Sequence, residues 1–145
     1  MVCTFFGHRL CPTEIKENLR LAIIDLIKNK GVNKFYVGNQ GGFDYMVCNI
    51  LKELSKEYPI KYSIILAYFT EKKYDNDEYL LENSILPEGI EFVPPKFAID
   101  WRNKWMIKQS DFVVTYVCHN FGGAAKFKAL AQRQNKTVIN LYTKK

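Results

Sequence analysis

No run of this 145-residue chain is long and apolar enough to suggest a membrane span. The longest uncharged apolar stretch, Ser63 to Phe69, falls far short of the roughly 20 residues a span needs. A basic start and a cleavage site are missing before the strand-like Val2–Phe6. No secretory signal is therefore expected, and the cytoplasm is the expected compartment. Cysteine is sparse: Cys3, Cys11, Cys48 and Cys118, none in a CxxC pair, so reduced thiols are expected. A zinc set drawn from Cys3, His8, Cys11, Cys118 and His119 fits no zinc-module spacing, and no metal is assigned. GxGxxG and GxxxxGKS/T are both absent, which disfavours classical dinucleotide binding and P-loop hydrolysis.

Acidic residues are missing from one region. Between Phe112 and Lys145 there are six basic residues and no acid, so the whole net charge of +6 lies in the C-terminal quarter. A solvated basic face explains this, as does a surface that attracts phosphate. No RNP motif or zinc finger accompanies it, so nucleic acid is disfavoured as a partner.

The rest of the composition is that of a folded domain, with 48% apolar residues and 25% charged. Short apolar or β-branched runs alternate with helical patterns. Val2–Phe6, Lys34–Val37, Tyr62–Tyr68, Phe112–Val117 and Thr137–Tyr142 read as strands, with Glu91–Val93 as a short edge strand. Pro12–Asn29, Phe43–Tyr58, Phe97–Gln109 and Gly123–Gln134 read as helices. Residues 70–89 read as a long connection. The alternation predicts one α/β domain over residues 1–145: a doubly wound, Rossmann-like, mostly parallel sheet with helices on both faces.

Ligands of such sheets bind beyond the carboxyl ends of the strands. Six of the eight glycines fall in segments that follow strands: Gly7, Gly38, Gly41, Gly42, Gly122 and Gly123. Glycine at a strand-to-helix turn permits positive φ and close backbone approach, and a helix N-terminus favours an anion. Turn chemistry alone is the competing reading. Arg9 would point its donor fork into the same crevice. His8 suits contact or structure better than catalysis, and His119 is balanced between solvent and rim. Asp44 fits either the helix dipole or a ribose. Trp101 and Trp105, one turn apart, read as core rather than as a stacking platform. They also offer an apolar face, which leaves self-association open.

Four motifs together carry a resemblance. Thr4–Arg9 (TFFGHR), Gly38–Asp44 (GNQGGFD), Arg102–Asp111 (RNKWMIKQSD) and Asn120–Ala124 (NFGGA) resemble, in order, the SLOG superfamily. The nearest likeness is to its small, stand-alone bacterial members. That superfamily is Rossmann-like and includes the lonely-guy phosphoribohydrolases and the DNA-processing protein A group. The resemblance implies a nucleotide or nucleotide-derived ligand and no further cofactor. Gly41, Gly42 and Asp44 look like the superfamily's phosphate loop and its acid. Arg102 is similar to the arginine of the lonely-guy helix, and Gly122–Gly123 resemble the GG of PGGxGTxxE. Ala129 stands where that motif has its glutamate, which weakens an N-glycosidic cleavage role.

The expected function is thus binding or sensing of a nucleotide or ribose-phosphate. The expected ligand residues are Gly7, His8, Arg9, Gly38, Gln40, Gly41, Gly42, Asp44, Arg102, Asn120, Gly122 and Gly123. The alternative is a nucleotide-processing enzyme using Asp44, Asp100 or acids of the 71–82 segment. A protein-interaction role is the third reading. On this reading Arg9→Ala and Arg102→Ala each weaken an anionic ligand without unfolding the domain.

Overall fold

The computed structural model describes residues 1–67 and 83–142. Six parallel strands form one sheet: β1 (Val2–Gly7), β2 (Lys34–Val37), β3 (Lys61–Ile65), β4 (Ser84–Ile85), β5 (Phe112–Tyr116) and β6 (Thr137–Asn140). Their order is β4-β3-β2-β1-β5-β6. Strand order reverses between β1 and β5, whose register pairs Phe5 with Val114 and Gly7 with Tyr116. The described residues include four α-helices: α1 (Lys16–Lys30), α2 (Gly42–Leu54), α3 (Pro95–Gln109) and α4 (Gly123–Arg133).

Side-chain alternation along the strands sorts the helices by face. Cys3, Phe5, Phe35 and Val37 point to one face and meet Leu19 and Ile23 of α1 and Phe43, Val47 and Ile50 of α2. Phe6, Tyr36 and Val113 point to the other and meet Met106 and Ile107 of α3 and Phe127 and Ala131 of α4. The architecture is the expected doubly wound one, with a sheet that is parallel throughout.

Two boundaries differ from expectation. The first helix opens with a 3₁₀ turn at Thr13–Ile15 before α1 begins, and it ends on Gly31 at φ 71°, whose amide reaches the Leu26 carbonyl. The edge strand is Ser84–Ile85, paired to β3, and not Glu91–Val93. Gly89 at φ 96° turns the chain, and Ile90 N–H donates to the Pro87 carbonyl, curling Ile90–Phe92 into a 3₁₀ turn. Tyr68 and the 71–82 segment, with its candidate acids, lie outside the described residues. No described helix is long and apolar enough to cross a membrane.

Candidate ligand crevice

A cavity of about 500 Å³ opens where strand order reverses, at the carboxyl ends of β1 and β5. That size suits a nucleotide-sized ligand. Eight of the expected residues line it: Gly7, His8, Arg9, Gln40, Asp44, Arg102, Gly122 and Gly123. Gly38, Gly41, Gly42 and Asn120 are not among its lining residues.

The first glycine loop is packed against the GHR turn. Gly42 N–H donates to the Arg9 carbonyl at 2.8 Å. A Cβ on Gly42 would sit 2.8 Å from that oxygen, and one on Gly41 (φ 93°) would sit 2.8 Å from Arg9 Cα. A Cβ on Gly7 would strike the Phe43 ring at 2.2 Å. These glycines are there so that two loops and one buried ring can touch.

Behind them lies a buried polar knot. Asp44 Oδ2 accepts Gln40 N–H at 2.9 Å. Arg102, 1% exposed, donates to the Ile65 carbonyl at 2.9 Å, Asn39 Oδ1 at 3.0 Å and Asn103 Oδ1 at 2.9 Å. Asp44 and Arg102 flank Gly38, where a Cβ would meet Asp44 Oδ2 at 2.9 Å and Arg102 Cζ at 3.2 Å. Burial pushes the Asp44 carboxyl up to about 6, against the pull of the Gln40 amide and the Arg102 charge. Asp100 is engaged elsewhere. It pairs with Lys104 at 2.8 Å and Lys126 at 2.5 Å, and those bonds hold its carboxyl below the usual range.

The second glycine loop is open. A Cβ on Gly122 would have only His119 Cε1 near it, at 3.9 Å, and one on Gly123 would have nothing within 4 Å. No side chain caps the start of α4. The loop before it carries a column of rings. His8 stacks on His119 (centroids 3.8 Å, planes 17° apart), and His119 stacks on Phe121 (4.0 Å, 17°). Tyr116 meets His8 edge-on at 6.1 Å. His8 Nε2 accepts the Cys118 amide at 2.9 Å, and His119 Nδ1 lies 2.9 Å from the Phe121 carbonyl. Burial and the neighbouring His119 hold His8 below its ordinary pKa. Donor atoms of His8, Cys118 and His119 lie within 4.8 Å of one another, which makes these three the described group able to hold a metal ion. In sequence His8 stands 110 positions before Cys118, which adjoins His119.

Sequence reasoning did not single out Asn39, Asn103, Phe121 or Asn140. Asn140 takes Val117 N–H and gives its own amide to the Val117 carbonyl, both at 3.0 Å, so it continues the β5 ladder past its last residue. Its only sequence signal is an amide side chain closing an apolar strand.

Fold and crevice together define a Rossmann-like domain with a cavity at the topological switch point. A profile of the YspA SLOG family (YpsA) matches residues 5–143, and the chain belongs to that family. The fold is similar to DNA processing protein A from Helicobacter pylori: TM-score 0.66, 19% identity, 95% of this chain and 63% of that one. It is also similar to DNA processing protein A (DprA) from Streptococcus pneumoniae: TM-score 0.70, 14% identity, 94% of this chain and 48% of that one. The chain thus spans about half to two-thirds of these proteins' length. No curated protein sequence matches it. One expectation is corrected. Lack of an RNP motif or zinc finger does not make nucleic acid an improbable partner for this fold, because the H. pylori structure is described by its single-stranded DNA binding mode.

Proposed function

We propose that the domain binds a nucleotide or nucleotide-derived ligand in the β1/β5 crevice. The observation that carries this is the open start of α4 beside Arg9 in one cavity. The amides of a helix's first turn, with its dipole, favour a phosphate. At α2 the corresponding position is taken: the Gly42 amide is bonded to Arg9, and Asp44 holds the Gln40 amide. The phosphate therefore sits at Gly122–Gly123, with the exposed Arg9 guanidinium as counter-charge. Arg102 and Asp44 position the loops from behind, and Gln40 and His8 complete the wall.

A second reading has the nucleotide unit supplied by single-stranded nucleic acid. The likeness to DNA processing protein A supports it, as does the acid-free basic stretch after Asp111. Cleavage is less supported, since Asp44 is the one carboxylate among the described lining residues and it is already bonded to the Gln40 amide.

Thermal shift against AMP, ribose 5-phosphate, ADP-ribose, cyclic dinucleotides and oligo(dT) tests the proposal. A ligand at about 100 times its Kd adds roughly 2.7 kcal/mol, or about 5–10 °C. A shift lost in Arg9→Ala supports the crevice. No shift with any member would overturn the nucleotide reading and favour a protein-interaction role.

A further inference from the structure

The column His8–His119–Phe121 begins inside the crevice and ends outside it. His8 and His119 line the cavity. Phe121 is 71% exposed. His119 is stacked between His8 and Phe121, while Phe121 is covered on one side by His119. Phe92 is more exposed still, so what marks Phe121 is its place at the end of a ring stack that starts in the cavity. The next two residues, Gly122 and Gly123, begin the helix with the open N-terminus. Three consecutive residues thus offer a flat aromatic surface and then a row of amides.

We propose that Phe121, backed by His119 and His8, is the platform on which the ligand's nucleobase stacks. The proposal rests on the nucleotide reading above and adds the base to it. A nucleobase has a π-face and little charge, so it suits an apolar ring, whereas an acidic peptide or simple anion has no use for one. The column is stiff. Tyr116 holds His8 edge-on, the Cys118 amide fixes the His8 ring, and the Phe121 carbonyl fixes the His119 ring. A base landing on Phe121 therefore meets a ring backed by two that are already fixed.

The test is titration of AMP, oligo(dT) and ribose 5-phosphate into wild type, Phe121→Ala and Phe121→Trp. Ribose 5-phosphate has the phosphate and sugar without the base. Phe121→Ala is expected to weaken the base-bearing probes by about 5- to 150-fold, the range for losing one base–aromatic stack. Ribose 5-phosphate should bind the variant as it binds wild type. Phe121→Trp should keep base-bearing affinity, and its indole emission should be quenched by those probes but not by ribose 5-phosphate. AMP and oligo(dT) separate a free nucleotide from a strand as the source of the base. Equal binding of base-bearing probes to wild type and Phe121→Ala would overturn the platform and leave the nucleotide reading intact. So would an equal loss for probes with and without a base. Failure of every probe to bind wild type would overturn both.

Discussion

The amide of Gly42 donates to the carbonyl of Arg9 at 2.8 Å, and this bond joins the turn after β1 to the start of α2. It assigns the two glycine loops different duties. One locks the crevice wall, and the other is left open. Gly41→Ala and Gly42→Ala are expected to destabilise the domain. At Gly41 the positive φ with extended ψ, a region essentially confined to glycine, alone costs about 1–3 kcal/mol, before the contact with Arg9 is counted. Gly123→Ala, facing open space, should stay within about 0.5 kcal/mol. Urea midpoints of the three variants check the contrast. Equal losses would mean that the loops are equivalent.

Arg9 and Arg102 looked alike in sequence, and the structure separates them. Arg102→Ala leaves the Ile65 carbonyl and Asn39 without a buried charged donor, so it should cost about 3 kcal/mol or more. Arg9→Ala removes an exposed side chain and should leave stability within about 0.5 kcal/mol. Chemical denaturation distinguishes them. A stable Arg102→Ala domain would show that the buried knot is dispensable.

Asp44 makes stability depend on pH in a defined direction. Its folded carboxyl lies near 6 and its ordinary value is 3.8, so the native state holds this proton more tightly than the unfolded chain. Stability from this group is complete below 3.8 and is lost as pH rises towards about 6. Asparagine cannot ionise and can still accept the Gln40 amide. Asp44→Asn should therefore gain on wild type between pH 4 and pH 7, read as a growing difference in denaturation midpoint. A constant difference would mean that the carboxylate is not destabilised by its surroundings.

His8 acts in the opposite sense. Its folded pKa lies below 6.5, so the unfolded chain takes the proton first and stability falls as pH drops below 6.5. Protonation also removes the Nε2 acceptor of the Cys118 amide. An NMR titration of the imidazole should give a midpoint below 6.5. A midpoint at or above that value would mean that burial and His119 do not disfavour the charged ring.

Much of the frame could be read from the sequence, because apolar runs such as Phe112–Val117 fit a strand buried on both sides. Ser84–Ile85 could not be, since two residues carry no period and only the neighbouring β3 decides their pairing. The crevice was legible in outline, because glycines after strands mark the sheet end where ligands gather. Roles within it were less so. Gly7 gave no sign that a phenylalanine ring 36 positions later would need its missing side chain. Arg102 did carry a signal: it shares a helix stripe with Met106, one turn on, and that stripe faces inward. The ring column joins positions 8, 119 and 121, and no local pattern reports such a meeting.

The Asn140 side chain has a consequence for how this domain can diversify. By imitating one more residue of strand backbone, it pins Val117, just past the end of β5, while α4 anchors the chain again from Gly123. Residues 118–122 are suspended between two fixed points, like a span between piers. The side chains of 118–121 can be exchanged without moving the frame, so under the proposed nucleotide reading a change of ligand preference can evolve there while the fold stays intact.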